Sequence, residues 1–588
     1  MSQQTIQKED SVSIEGKHVV YCPPPDNRGD DLHVIKEWVT DAEGNRTPRL
    51  SFKYNFKRPY YLTKEGFRNH EQKKEWEDLH KLDRYMTREY ELVSNAANSL
   101  KLYNLPRSKR DLAMNPYVYG IDISSSAIIK QLYLDAQEKK GVQVKLCTVA
   151  GLDSETDMVR GDNKIIMLGV TYKDRAYTAV VKSFVEGLVN VEEDLQALAM
   201  KYIPEVMEKR KIKWEIEIVD TPADTVIQCF KRLHEWKPDW VSVWNLDFDY
   251  KKMKEALDDG GIDIAQVFCD PSVPDRFKFV TWHQGSDVKK TEEGKETPIP
   301  PQQRWDVAEF PATFRLVDSM QAYDKVRTGS ALQTSYTLDH ICNVSKVGYD
   351  KETKKIYKKL RFPEDSHLVE SSPEWHEFMQ RNYKLRYILY NLFDNILLEM
   401  LDETTKDLAD TVDTFAQSTD LINFRSQPRR KVDECHFEFI RDYKLVMGST
   451  ARDMSTPFDK RIYDLRNWII TLAAHLNSRP GLKIVQDAIA LYTNIYILVY
   501  DLDVSSSYPN GIAVMNMSKM TTVAEIIGIK DEEDPFMLRY QGMNLSSGHV
   551  NAIEFCSTVF GLPTAAEFSE IYRREHGEPK EPVKQYKK

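Results

Sequence analysis

Val144-Lys-Leu-Cys-Thr-Val-Ala150-Gly-Leu-Asp153-Ser-Glu155 is the stretch on which the fold turns: a strand-like run, Val144–Ala150, leads directly into two acids placed two residues apart. Side chains alternate along a strand, so Asp153 and Glu155 share one face and can share a divalent cation. Just downstream, Ile165–Tyr172 and Ala176–Phe184 have strand character and Val191–Glu208 has a helical period, which together make an α/β layout. Taken alone, the acid pair reads more simply as a solvated surface feature. Asp41-Ala-Glu43 and Asp531-Glu-Glu533 show the same spacing.

Upstream, residues 1–140 mix short strand-like runs (His18–Cys22, Leu50–Tyr54, Arg58–Leu62) with a charged stretch from Glu65 to Lys101 of helical character, a compact mixed domain. Downstream, Leu233–Trp240 leads into an apolar strand, Val241–Trp244, followed by a Lys-rich helix from Asp249 to Asp258. Gly285–Arg304 is polar with three prolines, a surface loop or hairpin tip. Pro373–Glu403 predicts a long amphipathic helix, Thr404–Arg430 a polar, partly helical connection, Trp468–Leu476 a buried helix and Tyr496–Val504 a strand. The Lys-rich end, Lys584–Lys588, reads as a frayed tail.

The whole chain, 588 residues with net charge −10 and 41% hydrophobic residues, has the composition of a folded protein of three or four domains and excludes a low-complexity chain. No run approaches the ~20 apolar residues of a membrane span. Met1–Ser13 lacks the basic start and apolar run of an export signal, so a cytoplasmic, non-membrane protein is expected. The seven cysteines form no CxxC pair, which argues against a zinc knuckle or a disulfide framework and for buried thiols.

Three further constellations carry chemistry. Asn245-Leu-Asp-Phe248-Asp249 ends an apolar strand, where open α/β sheets place ligand sites, although Asp249 could equally cap the next helix. Tyr390-Asn-Leu-Phe-Asp394 lies in a helical period that puts phenol and carboxylate on one face; a buried Tyr with an exposed Asp has the same pattern. Asp503-Val504-Ser-Ser506-Ser507-Tyr508-Pro509 follows the strand Tyr496–Val504. A sharp turn there exposes successive backbone N–H groups suited to a polyphosphate, or is an ordinary Ser/Pro-rich turn.

In this order and at this wide spacing, the four segments resemble the family B DNA polymerases of the phage replicative type. Asp153-Ser-Glu155 is similar to the first exonuclease motif, Asn245 to Asp249 to the second, Tyr390 to Asp394 to the third, and Asp503 to Pro509 to polymerase motif A. Ser335-Tyr-Thr-Leu338 and Asn516-Met-Ser518 resemble flanking segments of the family. Asp122-Ile-Ser124 competes for the first motif but lacks the second acid. The resemblance implies an α/β and α+β multidomain protein: an N-terminal mixed domain over residues 1–140, a ribonuclease H-like 3′–5′ exonuclease domain over 141–403, and connecting helices with an incomplete palm over 404–588. It further implies that Asp153, Glu155, Asp249 and Asp394 hold two Mg²⁺ ions (or Mn²⁺), that Tyr390 positions a water, and that Asn245 and Phe248 contact DNA. At motif A, Asp503 and the Val504 carbonyl would bind the polymerase metals, Ser506 and Ser507 would cradle a dNTP, and the Tyr508 ring would exclude a ribose.

The chain also departs from the family. Only 85 residues follow Asp503, and neither the Lys-rich fingers motif nor the Asp-Thr-Asp palm motif occurs. Ser507 replaces a customary Leu, and Gln486–Tyr492 lacks the paired glycines that normally precede motif A. The expectation is therefore the exonuclease-bearing N-terminal subunit of a split polymerase. It acts on primer-template DNA with a separate C-terminal chain that supplies fingers, the rest of the palm, thumb and sliding-clamp contact. A free-standing exonuclease with a vestigial palm and a non-enzymatic DNA-binding platform are the alternatives. Phe277–Trp305 would be the hairpin that helps part primer from template.

Overall fold

The computed structural model describes residues 13–448 except 27, 71–72, 75, 103–105, 107, 291–295, 328–332, 366, 370, 413–418, 427–432 and 434, and beyond them only the backbone of four strands. The chain divides into two compact units, Met1–Met454 and Ser455–Lys588. Architecture is mixed, with several sheets and helices on both faces of the largest.

The first unit opens with an antiparallel sheet, β1 (Ser13–Cys22), β2 (Leu32–Thr40) and β3 (Arg46–Tyr54). Eight of the nine residues of β2 are buried, so this strand is covered on both faces. A second small sheet places β4 (Arg58–Thr63) between two partners, and β5 (Trp76–Asp78) stands apart from it. The partners are β6 (Leu82–Thr87) and, beyond helices α1 (Leu92–Ser99) and α2 (Lys109–Ala113), β7 (Val118–Tyr119). The helical expectation for Glu65–Lys101 is thus overturned outside α1. Pairing of β6 along β4, from Arg58 opposite Thr87 to Thr63 opposite Leu82, outweighs local helix preference, as sheet context does for charged sequences. Helix α3 (Ser125–Lys140), capped by Ser124, packs on β1 and ends at Gly141 in the left-handed region.

A six-stranded sheet follows. Its strands are β8 (Val149–Thr156), β9 (Ile165–Tyr172) and β10 (Arg175–Val181), then, after α4 (Lys182–Val185), α5 (Val191–Tyr202) and α6 (Pro204–Arg210), β11 (Lys213–Val219). Pro204 splits the single helix expected over Val191–Glu208 into two. Next come α7 (Pro222–Trp236), with a Thr221/Asp224 capping box, β12 (Trp240–Val243), α8 (Leu246–Asp259) and α9 (Ile264–Phe268). After β13 (Thr281–His283), β14 (Val288–Lys290), β15 (Glu296–Pro298) and β16 (Val307–Glu309), strand β17 (Arg315–Asp318) completes the sheet in the order β11-β10-β9-β8-β12-β17. Antiparallel β14 and β15 make the polar segment Gly285–Arg304 a hairpin. Strand β8 begins at Val149 rather than Val144, because residues 142–148 join no sheet and the Val142 and Cys147 N–H groups bond instead to the Gln137 and Ala409 carbonyls. Asp153 and Glu155 therefore lie inside the strand, not after it.

Helices α10 (Ser319–Val326), α11 (Leu338–Val344), α12 (Pro373–Asn382) and α13 (Lys384–Thr405) follow. The helix expected over Pro373–Glu403 breaks at Tyr383, whose φ of −140° leaves helical space. One apolar core joins α5, α6 and α11–α13 to the sheet; a second, on the opposite face, joins α7–α9 through residues such as Leu152, Val226, Leu246 and Phe314. Short turns over Asp407–Val412 and Leu421–Asn423 precede β18 (Leu445–Met447), which pairs with β5. In the second unit, β19 (Thr522–Lys530), β20 (Met537–Ser547), β21 (Val550–Asn551) and β22 (Val583–Lys584) form one antiparallel sheet. Trp468–Leu476, Tyr496–Val504 and Asn516–Ser518 lie outside the described residues. No helix among the described residues is long and apolar enough to cross a membrane.

Candidate active site

Strand β8 is central in its sheet and carries Asp153 and Glu155 toward α13; Leu152 points to the other face. Helix α13 lies unusually close to this strand. A Cβ on Gly151 would fall on the Asn395 main-chain carbonyl, and one on Gly169, opposite Asp153 in β9, would fall on Asn391. Two glycines on adjacent strands, Gly151 opposite Thr171 and Gly169 opposite Asp153, therefore let the helix approach. From that distance Asn391 Nδ2 donates to Asp153 Oδ2 (3.0 Å) and to the Asp153 carbonyl (3.2 Å).

Asp249, in the first turn of α8, is 4% exposed and turned into the site rather than capping its own helix. Its Oδ1 accepts from the Ser154 N–H (3.2 Å) and the Ser154 hydroxyl (2.5 Å). The N-terminus of α8 is served instead by Asp318 at the end of β17, whose Oδ2 accepts from the Leu246 N–H (2.9 Å). Asn245, at the start of α8, accepts the Phe248 and Asp249 N–H groups on its carbonyl, and the Phe248 ring is 41% exposed. Asp394 on α13 is buried, and its Oδ2 is 2.9 Å from Lys359 Nζ. That ammonium also donates to the Tyr390 hydroxyl (2.6 Å), which stands 2.9 Å from Ser371 Oγ. Glu155 Oε2 accepts from the Tyr387 hydroxyl.

The four acids named from the sequence thus come together from β8, α8 and α13. Burial first, and then the charges of Glu155, Asp249 and Asp394, push the Asp153 carboxyl far above the ordinary carboxylate range, with Lys359 opposing. Glu155 and Asp249 are raised as well, chiefly by burial, against the hydrogen bonds from Tyr387 and Ser154 respectively. Four buried acids with one opposing ammonium, Lys359, leave an excess of negative charge when ionised, and hard divalent cations take such carboxylate oxygens. Carboxylate oxygens are the donor type that Mg²⁺ takes, and among the described residues no three Asp, Glu, His or Cys side chains are grouped closely enough to hold a metal ion as they stand.

Asp503, Val504, Ser506, Ser507 and Tyr508 lie outside the described residues. Several participants are absent from the motif reading: Ser154, Asp318, Lys359, Gln380, Tyr387 and Asn391. Tyr387 alone had an accessible signal, since it stands three residues before Tyr390 and seven before Asp394, on the same helical face. Compared with known proteins, the chain matches no family model and no curated protein.

Proposed function

We propose that the chain is the exonuclease-bearing N-terminal subunit of a split family B DNA polymerase, and that residues 141–403 form a ribonuclease H-like 3′–5′ exonuclease. The observation that carries this reading is the meeting of Asp153, Glu155, Asp249 and Asp394, which come from three separate stretches of chain, at the end of one central strand. Mixed strand directions support it: β8, β12 and β17 run parallel while β9 is antiparallel to β8, with helices on both faces.

The four carboxylates would hold two Mg²⁺ ions, which supply a hydroxide nucleophile at neutral pH and stabilise the departing 3′ oxygen. Tyr390, its hydroxyl fixed by Lys359 and Ser371, orients the attacking water. The exposed Phe248 ring stacks on the terminal base, and Asn245 contacts the strand beside it. The product is a nucleoside monophosphate clipped from a mispaired 3′ end. Synthesis requires motif A from this chain, with dNTPs, and the missing palm carboxylate from a partner chain. The hairpin β14–β15 is assigned to parting the primer end from its template.

Changing Asp153 and Glu155 together to Ala should abolish Mg²⁺-dependent digestion of single-stranded 3′ ends, measured by gel on a folded variant checked by circular dichroism. Digestion at the wild-type rate would remove the exonuclease assignment.

A further inference from the structure

Tyr387 is fully buried, yet its hydroxyl meets three polar groups. It touches Glu155 Oε2, Gln380 Nε2 at 3.2 Å and His376 Nδ1 at 2.6 Å. Gln380 is fully committed: Nε2 also donates to the Thr156 carbonyl (2.8 Å), and Oε1 accepts from the Met158 N–H (2.9 Å). His376 and Gln380 are four residues apart on α12 and so share one face, directed at the end of β8. The phenol has a single proton. Given to an ionised Glu155, it leaves the phenolic oxygen to accept from Gln380 Nε2–H and from His376 Nδ1–H, which sets the His376 tautomer. The Tyr387 ring also lies parallel to that of Tyr390, centroids 6.1 Å apart.

We propose that Tyr387, held by Gln380 and His376, is a positioning residue that fixes the Glu155 carboxylate for metal binding, so that α12 sets the geometry of the nuclease centre from outside it. This inference rests on the nuclease reading above. One oxygen of Glu155 is anchored by the phenol, which restricts rotation of the carboxylate and aims the remaining oxygen at the cluster. Partners of this kind around a metal ligand are worth about 10- to 100-fold in affinity or activity.

Tyr387→Phe removes the hydroxyl and keeps the ring. Mn²⁺ titration of the full chain, followed by electron paramagnetic resonance without DNA, should show the dissociation constant raised about 10- to 100-fold. Hydrolysis of the p-nitrophenyl ester of thymidine 5′-monophosphate should lose kcat with KM unchanged, because the phenol touches no substrate. His376→Ala, at a half-buried position, should move both readouts in the same direction and serves if Tyr387→Phe does not fold. Glu155→Gln is the reference. If it leaves Mn²⁺ binding and ester hydrolysis as in the wild type, the nuclease reading falls. If it destroys both while folded Tyr387→Phe and His376→Ala match the wild type, the positioning proposal alone is overturned.

Discussion

Ser154 sits between the two acids of β8, so its side chain leaves the strand on the opposite face and reaches Asp249 on α8. One hydroxyl thereby couples the two sides of the sheet at the acid cluster. Ser154→Ala leaves Asp249 Oδ1 with the Ser154 N–H. The loss should cost about 1–3 kcal/mol of stability, the lower end for a neutral and the upper end for an ionised Asp249 acceptor, which urea unfolding would measure. On the proposed nuclease function, single-strand digestion should fall about 10- to 100-fold, because Asp249 loses its orientation rather than its charge. Wild-type digestion in the folded variant would show that Asp249 needs no such support. The reach of Ser154 was hidden in the sequence, where it is the unremarked residue between two acids. Alternation alone says which way it points, not what waits there.

At the scale of elements, the site depends on how closely α13 lies on β8 and β9. Gly151 and Gly169 permit that approach, and Asn391 and Asn395 exploit it. Gly151→Ala pushes a methyl group into the Asn395 carbonyl, which belongs to a helical backbone and cannot rotate away. Overpacking of this kind costs typically about 1–3 kcal/mol, and the helix must shift, drawing Asn391 from Asp153. Thermal unfolding should register the loss, and the proposed exonuclease activity should drop by more than the loss of folded protein explains. Activity that tracks folded protein alone would separate helix approach from site geometry. Helix α13 and the strands β9 and β12 were legible because long periodic or wholly apolar runs announce themselves. The acids Asp153, Glu155, Asp249 and Asp394 were ambiguous within each segment and were singled out only by the order and wide spacing of the segments together. Lys359, Gln380 and Asp318 were not: Lys359 and Asp318 stand in short stretches without a helical period, Gln380 is one polar residue of a predicted helix, and only the fold brings each to the cluster. The misreading of Glu65–Lys101 has the same origin, since nothing local in Leu82–Thr87 reveals that β4 awaits it.

At the scale of the first unit, the N-terminal sheet is bound to the six-stranded sheet by buried polar groups as well as apolar contact. Lys36 of β2 donates to the carbonyls of Lys237, Pro238 and Thr313 at 3.0, 3.0 and 2.8 Å and lies 3.3 Å from Asp239 Oδ1. Trp38 Nε1 donates to the same carboxylate at 2.8 Å. His18 of β1 is 3.0 Å from the Ala312 carbonyl, so its Nε2–H donates there, and His33 of β2 is 2.7 Å from Ser125 Oγ at the start of α3. Burial holds both imidazoles neutral: it lowers His18 well below the usual histidine range, helped by Arg315 and Lys36, and lowers His33 to about 4. A histidine depressed in the folded state binds fewer protons than it does unfolded, so its contribution is complete above about pH 6.5 and drains away as pH falls toward the folded value. For His33 alone that is roughly 2 kcal/mol lost between pH 7 and pH 5. The raised carboxyls of the acid cluster have the opposite sign, taking up protons in the native state over the same window and offsetting part of the fall. The contribution of His33 is therefore read by difference. Chemical-denaturation stability measured from pH 7.5 to 5 should fall more steeply for the wild type than for His33→Gln, with the two curves closing by about 2 kcal/mol at pH 5. Parallel curves would mean that His33 titrates normally and that the contact between β2 and α3 does not depend on a neutral ring.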